Sequence, residues 1–245
     1  MSQNKYYEQI FFDNFADTHG GSHIGIQQAE FIINSLLYCG LWPKGEMLEC
    51  GCGVDGYGNY IAQTFKGLNV TGVDISQKTV AIANRKKTWA IFGDIENERL
   101  FSSKTFDLIL CPFVLHHLPG MDKTINNIYQ WLKPDGIFII MDINPTNPLF
   151  RISNFCRKIF EVLGGKGILL RHSLATPNET THNMKTYLRN TRGYKLLFCD
   201  RLYIEQKINS HFALFNNALH FFFPGSIFSE HIILMIFKKK DLYYA

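Results

Sequence analysis

Residues 46–74 read EMLECGCGVDGYGNYIAQTFKGLNVTGVD, and this stretch decides the fold. A strand-like stretch, EMLEC (46–50), runs straight into a glycine cluster, Gly51-Cys52-Gly53-Val54-Asp55-Gly56-Tyr57-Gly58. A helix-like stretch from Asn59 to Lys66 follows, and a second apolar run from Leu68 to Val73 ends at Asp74. Gly51-x-Gly53-x-x-Gly56 at a strand-to-helix turn matches the dinucleotide fingerprint, a weak signal by itself because glycine permits tight turns in many settings. Asp74 strengthens it: it stands 74 − 53 = 21 residues after Gly53, close to the roughly 20 at which a carboxylate meets a ribose diol. A plain strand-end or capping residue is the alternative for Asp74.

Working outward, Ser76 is placed to cap a helix from Gln77 to about Lys87. A strand-like piece from Trp89 to Phe92 ends at Gly93-Asp94, and Phe106 to Phe113 is a continuous apolar run that fits a strand buried on both faces. A helix from Met121 to Leu132 stops at Lys133-Pro134-Asp135-Gly136, and GIFIIM (136–141) is the next buried strand. Strand and helix thus alternate through residue 142, which predicts parallel βαβ units in a doubly wound, three-layer α/β/α Rossmann-like sheet.

After Asp142 the rhythm breaks. A Pro145–Pro148 turn, a helix over Leu149–Leu163, a glycine loop at 164–167 and a helix over Glu179–Asn190 read as an inserted helical cap. Strands are expected at Tyr194–Ile204 and His231–Phe237, and residues 211–228 between them are strongly aromatic. The expected organisation is one domain: a helical N-terminal lid (1–44), a cofactor-binding core (45–142), a cap insertion (143–193) and terminal strands with an aromatic segment (194–245). Lys238-Lys239-Lys240 is expected to be a solvated end to the last strand.

The 245 residues carry 25 Lys+Arg and 21 Asp+Glu, and a net charge of +4 is too small to argue for a nucleic-acid partner. Charged residues are only 19%, while 21 Phe and 11 Tyr point to an aromatic interior or an apolar pocket. Of six cysteines only Cys50 and Cys52 are close, and no second pair at zinc spacing answers them, so no metal is expected and reduced thiols are. The N-terminus has no basic region followed by an apolar run, and no stretch of about 18 apolar residues exists. A cytoplasmic protein is expected, with peripheral membrane contact not expected.

Charge separates the nucleotides. A dinucleotide's pyrophosphate sits on a helix N-terminus in neutral or positive surroundings, whereas Glu49 and Asp55 are negative. Such a loop suits a ligand with ammonium and sulfonium groups, as in S-adenosylmethionine, and Asp94 could accept from the adenine amino group. LECGCG, GVDIS, GDIE, FDLILCPFVLHHLP and LKPDGIFII, in that order, resemble the motif series of class I S-adenosylmethionine-dependent methyltransferases across residues 46–142. YYEQIFFDNFA is similar to the aromatic leader that often covers the cofactor in small-molecule members. The resemblance implies seven strands with a terminal antiparallel hairpin. It also implies that Glu49, Gly51, Cys52 and Gly53 lie along the methionine part, Asp74 on the ribose and Ile75 over the adenine. Asp94 and Ile95 would take the adenine edge, and Cys111 and Pro112 would close the site. Asp55 stands where many members have glycine, which leaves the loop's path open.

An activated methyl donor asks mainly for an aligned acceptor and excluded water. A hydroxyl acceptor also benefits from a base, and His116 or His117 just past the fourth strand could serve, although such a pair also serves packing. Asp142 either orients a hydroxyl or starts an Asx turn. His19, His23, His172, His182 and His220 read more simply as surface or packed residues. The 142–148 stretch with the late aromatic-plus-proline segment loosely resembles methyltransferases of bacterial polysaccharide and secondary-metabolite clusters, and that segment reads either as cap packing or as an apolar pocket or membrane contact. The expected function is O-methylation of a small molecule in such a pathway. N- or C-methylation of a small apolar or lipid-like acceptor, an NAD(P)-dependent oxidoreductase and a non-catalytic cofactor-binding module are the alternatives.

Overall fold

A computed structural model describes residues 9–10, 12–13, 16, 23–86, 89–118, 121–144, 193–202 and 232–240. Helix α1 (His23–Tyr38) leads into β1 (Gly45–Cys50), α2 (Gly58–Thr64), β2 (Leu68–Asp74), α3 (Gln77–Arg85) and β3 (Ala90–Phe92). Then come β4 (Phe106–Pro112), a 3₁₀ turn (Leu115–His117), α4 (Met121–Trp131), β5 (Leu132–Ile143), β6 (Tyr194–Leu202) and β7 (Ile232–Lys239). The seven strands run in the order β3-β2-β1-β4-β5-β7-β6. Strands β1 to β5 are parallel, and β7 runs antiparallel to both β5 and β6, giving the expected terminal hairpin. The chain order reverses between β1 and β4, and ligands bind at the carboxyl ends of strands beside such a switch point.

Period-two alternation divides the core into two faces. Leu48, Cys50, Ile109, Cys111, Phe138 and Ile140 pack with Ile128 and Trp131 of α4 on one side. Met47, Leu108, Leu110, Ile139 and Met141 pack with Ile32 and Leu36 of α1 and Ile61 of α2 on the other. Helix α3 is capped by Ser76, whose Oγ accepts from Thr79 N at 3.0 Å. Asn84 ties its last turn to β3 by paired 2.8 Å bonds with the Ala90 backbone.

Two sequence expectations change here. The Lys133–Gly136 stop lies inside β5, because Leu132 already pairs with Phe106 before the register shifts and resumes at Leu108↔Ile137. The turn chemistry is real, with Asp135 at φ 60°, but it makes a bulge rather than a loop before the strand.

Lys239 is not solvated. Its Nζ donates to Tyr129 O at 2.6 Å and Leu132 O at 2.7 Å, and lies 4.3 Å from the centre of the Tyr129 ring. The ammonium thus caps the carbonyl end of α4, where a helix favours positive charge. Lys239→Met should cost about 2–4 kcal/mol, since two buried carbonyls lose a charged donor. Urea unfolding checks this, and a midpoint within error of wild type would mean the ammonium contributes nothing. The expected cap helices and the 211–228 segment, with His19, His172, His182 and His220, lie outside the described residues.

Candidate cofactor and active site

The glycine loop leaves β1 in a turn that only glycine fits easily. Gly51 has φ 65°, and a Cβ there would stand 2.2 Å from Val114 Cγ2. Four of the loop's amides are spent inside the protein. Gly51 N and Cys52 N both donate to Val73 O, at 2.7 and 3.1 Å, and Gly56 N donates to Cys52 O at 3.0 Å. Gly53 N donates to Asp74 Oδ2 at 3.0 Å, and Ser76 N to Asp74 Oδ1 at 2.9 Å.

Glu49 is buried beneath the loop, and its two oxygens accept from Tyr57 N at 2.7 Å and Gly58 N at 2.8 Å. Those amides open α2, so the protein's own carboxylate occupies the anion site at that helix N-terminus. Burial pushes the Glu49 carboxyl up to about 7 against the pull of the two amides. Asp74 is also raised, by burial first, with the nearby Asp13 charge acting in the same direction. Asp55, where the loop's path was open, turns outward enough to pair with Lys86 Nζ at 2.6 Å.

A cavity of about 500 Å³ lies over this turn at the carboxyl ends of the strands. Of the residues expected at the site, Gly51, Cys52, Gly53, Asp74, Ile75, Asp94, Ile95, Pro112 and His117 line it. Glu49, Cys111 and His116 do not; they stand behind the wall. Cys111 is fully buried, and burial first, with the neighbouring Cys50 thiol, keeps its own thiol well above the ordinary range. His116 faces Asp142, with Nδ1 2.7 Å from Oδ1. His117 lies tilted against His116, 3.9 Å between ring centres and 40° between ring planes, and meets the edge of Phe12 at 5.3 Å.

Sequence reasoning missed much of the rest of the wall. Phe12, Ala16 and Ile26 reach it from the N-terminal segment and α1, and Tyr57, Tyr60, Thr79, Phe113, Val114 and Leu118 complete it. The aromatic leader hinted at the first group. Tyr57 and Tyr60, one turn apart where the loop becomes α2, were the available signal for the second. Tyr57 OH also donates to the buried Gln28 Oε1, which fixes α1 against the loop. Asp13 accepts from Ser76 Oγ and, at 3.3 Å, from Lys78 N, which ties the N-terminal segment to the start of α3.

The residues present fit S-adenosylmethionine. Asp55, Asp74 and Asp94 line the cavity, with the Asp55 charge offset by Lys86, and no Lys or Arg lines it among the described residues. Negative walls suit sulfonium and ammonium groups. A pyrophosphate would meet spent amides and the Glu49 carboxylate, so the literal dinucleotide pattern does not describe this turn.

Residues 48–140 match the family model described as a methyltransferase domain. That stretch is similar to methyltransferase domains. The chain is 29% identical over 160 residues to a ubiquinone biosynthesis O-methyltransferase of Rickettsia canadensis (strain McKiel), covering 63% of this chain and 61% of the relative. The match therefore spans less than two thirds of that relative's length. It is 30% identical over 103 residues to a fatty-acid O-methyltransferase of Mycolicibacterium smegmatis (strain ATCC 700084 / mc(2)155), covering 40% and 37% of the two chains. Its fold is similar to a crystal structure of MccD protein, with a TM-score of 0.61 at 16% identity, covering 87% of this chain and 98% of that one. Among the described residues no helix is long and apolar enough to cross a membrane.

Proposed function

We propose that the chain transfers the methyl group of S-adenosylmethionine to a hydroxyl oxygen of a small apolar acceptor, with a phenol as the acceptor class. One observation carries this: the His117 ring stands in a stretch of cavity wall otherwise made of Phe12, Phe113, Val114 and Leu118. Such a wall buries an apolar body, and an imidazole within it supplies one group able to take a hydroxyl proton. A carboxylate acceptor needs no base, so the histidine favours a hydroxyl. The resemblance to O-methyltransferases supports the acceptor atom, and a hydroxylated secondary metabolite or saccharide falls within the same chemistry.

When bound, the cofactor supplies a methyl group already activated for in-line transfer to oxygen. The chain's residues do the rest. Asp74 would accept from the ribose hydroxyls, Asp94 with Ile95 would hold the adenine edge, and Ile75 would cover the ring. Pro112 and Phe113 close the wall beside the strand ends and exclude water. His117 takes the hydroxyl proton and passes it to solvent.

Calorimetric titration with S-adenosylmethionine and NAD, followed by mass analysis of catechol incubated with the cofactor, tests the assignment. Binding of the first ligand only, with a catechol gaining one methyl group, is expected. Binding of NAD in its place would overturn the proposal, and cofactor binding with no methylated product from any hydroxyl acceptor would make the chain a binding module.

Glu49 gives a pH-dependent prediction. Below about pH 7 its raised carboxyl is protonated and neutral; above it the group is ionised. Affinity for the cationic cofactor should therefore rise as pH increases through 7, by about tenfold for one nearby charge. Adenosine, uncharged, should show no such step. Glu49→Gln should flatten the profile and weaken the cofactor more than adenosine. Equal losses for both ligands would instead assign Glu49 to holding the loop alone.

A further inference from the structure

Asp142 and His116 meet because β4 and β5 are adjacent parallel strands, paired through Pro112↔Met141. The carboxyl end of β5 is thereby set beside the turn leaving β4. Both Asp142 oxygens are given to one residue. Oδ1 lies 2.7 Å from His116 Nδ1, and Oδ2 accepts from His116 N at 3.3 Å. The side chains are 2% and 11% exposed, so the contact is shielded from water. On its far flank the His116 ring presses against His117, and His117 faces the cavity.

We propose that Asp142 is a positioning residue for the proton-accepting histidine: it clamps His116 by ring and backbone, and His116 in turn fixes His117. The proposal rests on methyl transfer to a hydroxyl as argued above. A 3₁₀ turn of three residues has little rigidity of its own, and the clamp supplies it. The carboxylate also selects the His116 tautomer with hydrogen on Nδ1. It stands one ring behind His117, where it favours the positive charge gained when the hydroxyl proton moves to that imidazole.

Asp142 comes from β5 and His117 from the same turn as His116. The Cys111 thiol of β4 lies within the influence of Asp142 and Glu49, and burial keeps it neutral, so it brings no rival charge. Phe12, from the N-terminal segment, is uncharged and meets the His117 ring edge-on.

Two acceptor probes separate positioning from simple support of the fold. 4-Methylcatechol is protonated at neutral pH, whereas 4-nitrocatechol is largely ionised and needs no base. Asp142→Asn and His116→Gln should each lower turnover of 4-methylcatechol by about 10²-fold. Turnover of 4-nitrocatechol and affinity for S-adenosylmethionine should change less than about threefold. With 4-methylcatechol, Asp142→Asn should also move the acid limb of the rate profile to lower pH, because a carboxylate that favours the imidazolium is gone. Equal losses with both catechols, or undiminished turnover of 4-methylcatechol, would overturn the proposal. His116→Gln keeps an N–H for the buried carboxylate, so it carries the test if Asp142→Asn does not fold.

Ring ¹⁵N spectra of wild-type protein decide the point without any acceptor. His116 should show a slowly exchanging Nδ1–H, absent in His116→Gln; a His116 ring without that proton overturns the proposal. Cofactor binding with neither catechol methylated would sink the phenol assignment, and the ring spectrum would still decide the positioning role.

Discussion

Replacing His117 by Ala is expected to lower turnover of a protonated phenol by about 10²–10⁴-fold, with cofactor affinity nearly unchanged. The magnitude follows from the role: a hydroxyl becomes a competent nucleophile only as its proton leaves, and His117 is the imidazole in the cavity wall. Wild-type turnover should fall as pH drops through the range in which the His117 imidazole becomes protonated, and this acid limb should lie at higher pH than that of Asp142→Asn. His117→Ala should lose that limb, and added imidazole should restore part of the rate. Truncation also removes the ring that Phe12 and His116 pack on, so a thermal melt must accompany the kinetics. Full turnover in both the His116 and His117 variants, with chemistry rate-limiting, would end the base hypothesis. Alignment alone would then suffice, as for an acceptor already ionised.

The parallel half of this fold was legible because short strand-like runs alternate with helical patterns and three of them, β1, β2 and β3, are closed by a glycine or a carboxylate. Gly51, Asp74 and Asp94 mark strand ends that line the cavity. The Lys133–Gly136 turn was legible as chemistry but not as topology, since only pairing with Phe106 shows that the strand starts before it. Lys239 misled for a related reason. Three lysines after an apolar strand read as a solvated end, and nothing in the local sequence reveals that the carbonyls of Tyr129 and Leu132 await one of them.

Site residues divided in the same way. Glu49 was noticed for its charge, yet its partners are the amides of Tyr57 and Gly58, a contact made only once the loop folds back. His116 and His117 are adjacent in sequence and could not be told apart there. In the fold one faces Asp142, 26 residues away, and the other faces the cavity. Phe12, Ala16 and Ile26 come from segments without strand periodicity, so their place in the wall depends on docking, which no local pattern encodes.

Asp74→Ala is expected to weaken S-adenosylmethionine by about 10- to 100-fold, the loss of a charged acceptor worth about 1.5–3 kcal/mol. Asp74 sits at the carboxyl end of β2 in the cavity wall, aimed by the amides of Gly53 and Ser76. Its proposed ligand, the ribose diol, is shared by the cofactor and adenosine, so both should weaken together. That outcome is opposite to Glu49→Gln, which should discriminate between them by charge. Asp74→Asn separates two contributions: it keeps an oxygen for Gly53 N but loses the charge, and should fall between wild type and Ala. Since burial raises the Asp74 carboxyl, acidification should protonate it earlier than an ordinary aspartate and weaken both ligands. The measurement is calorimetric affinity for both ligands in each variant, with a melt to show folding. Unchanged affinity in a folded Ala variant removes the ribose assignment and leaves Asp74 as an anchor of the glycine loop.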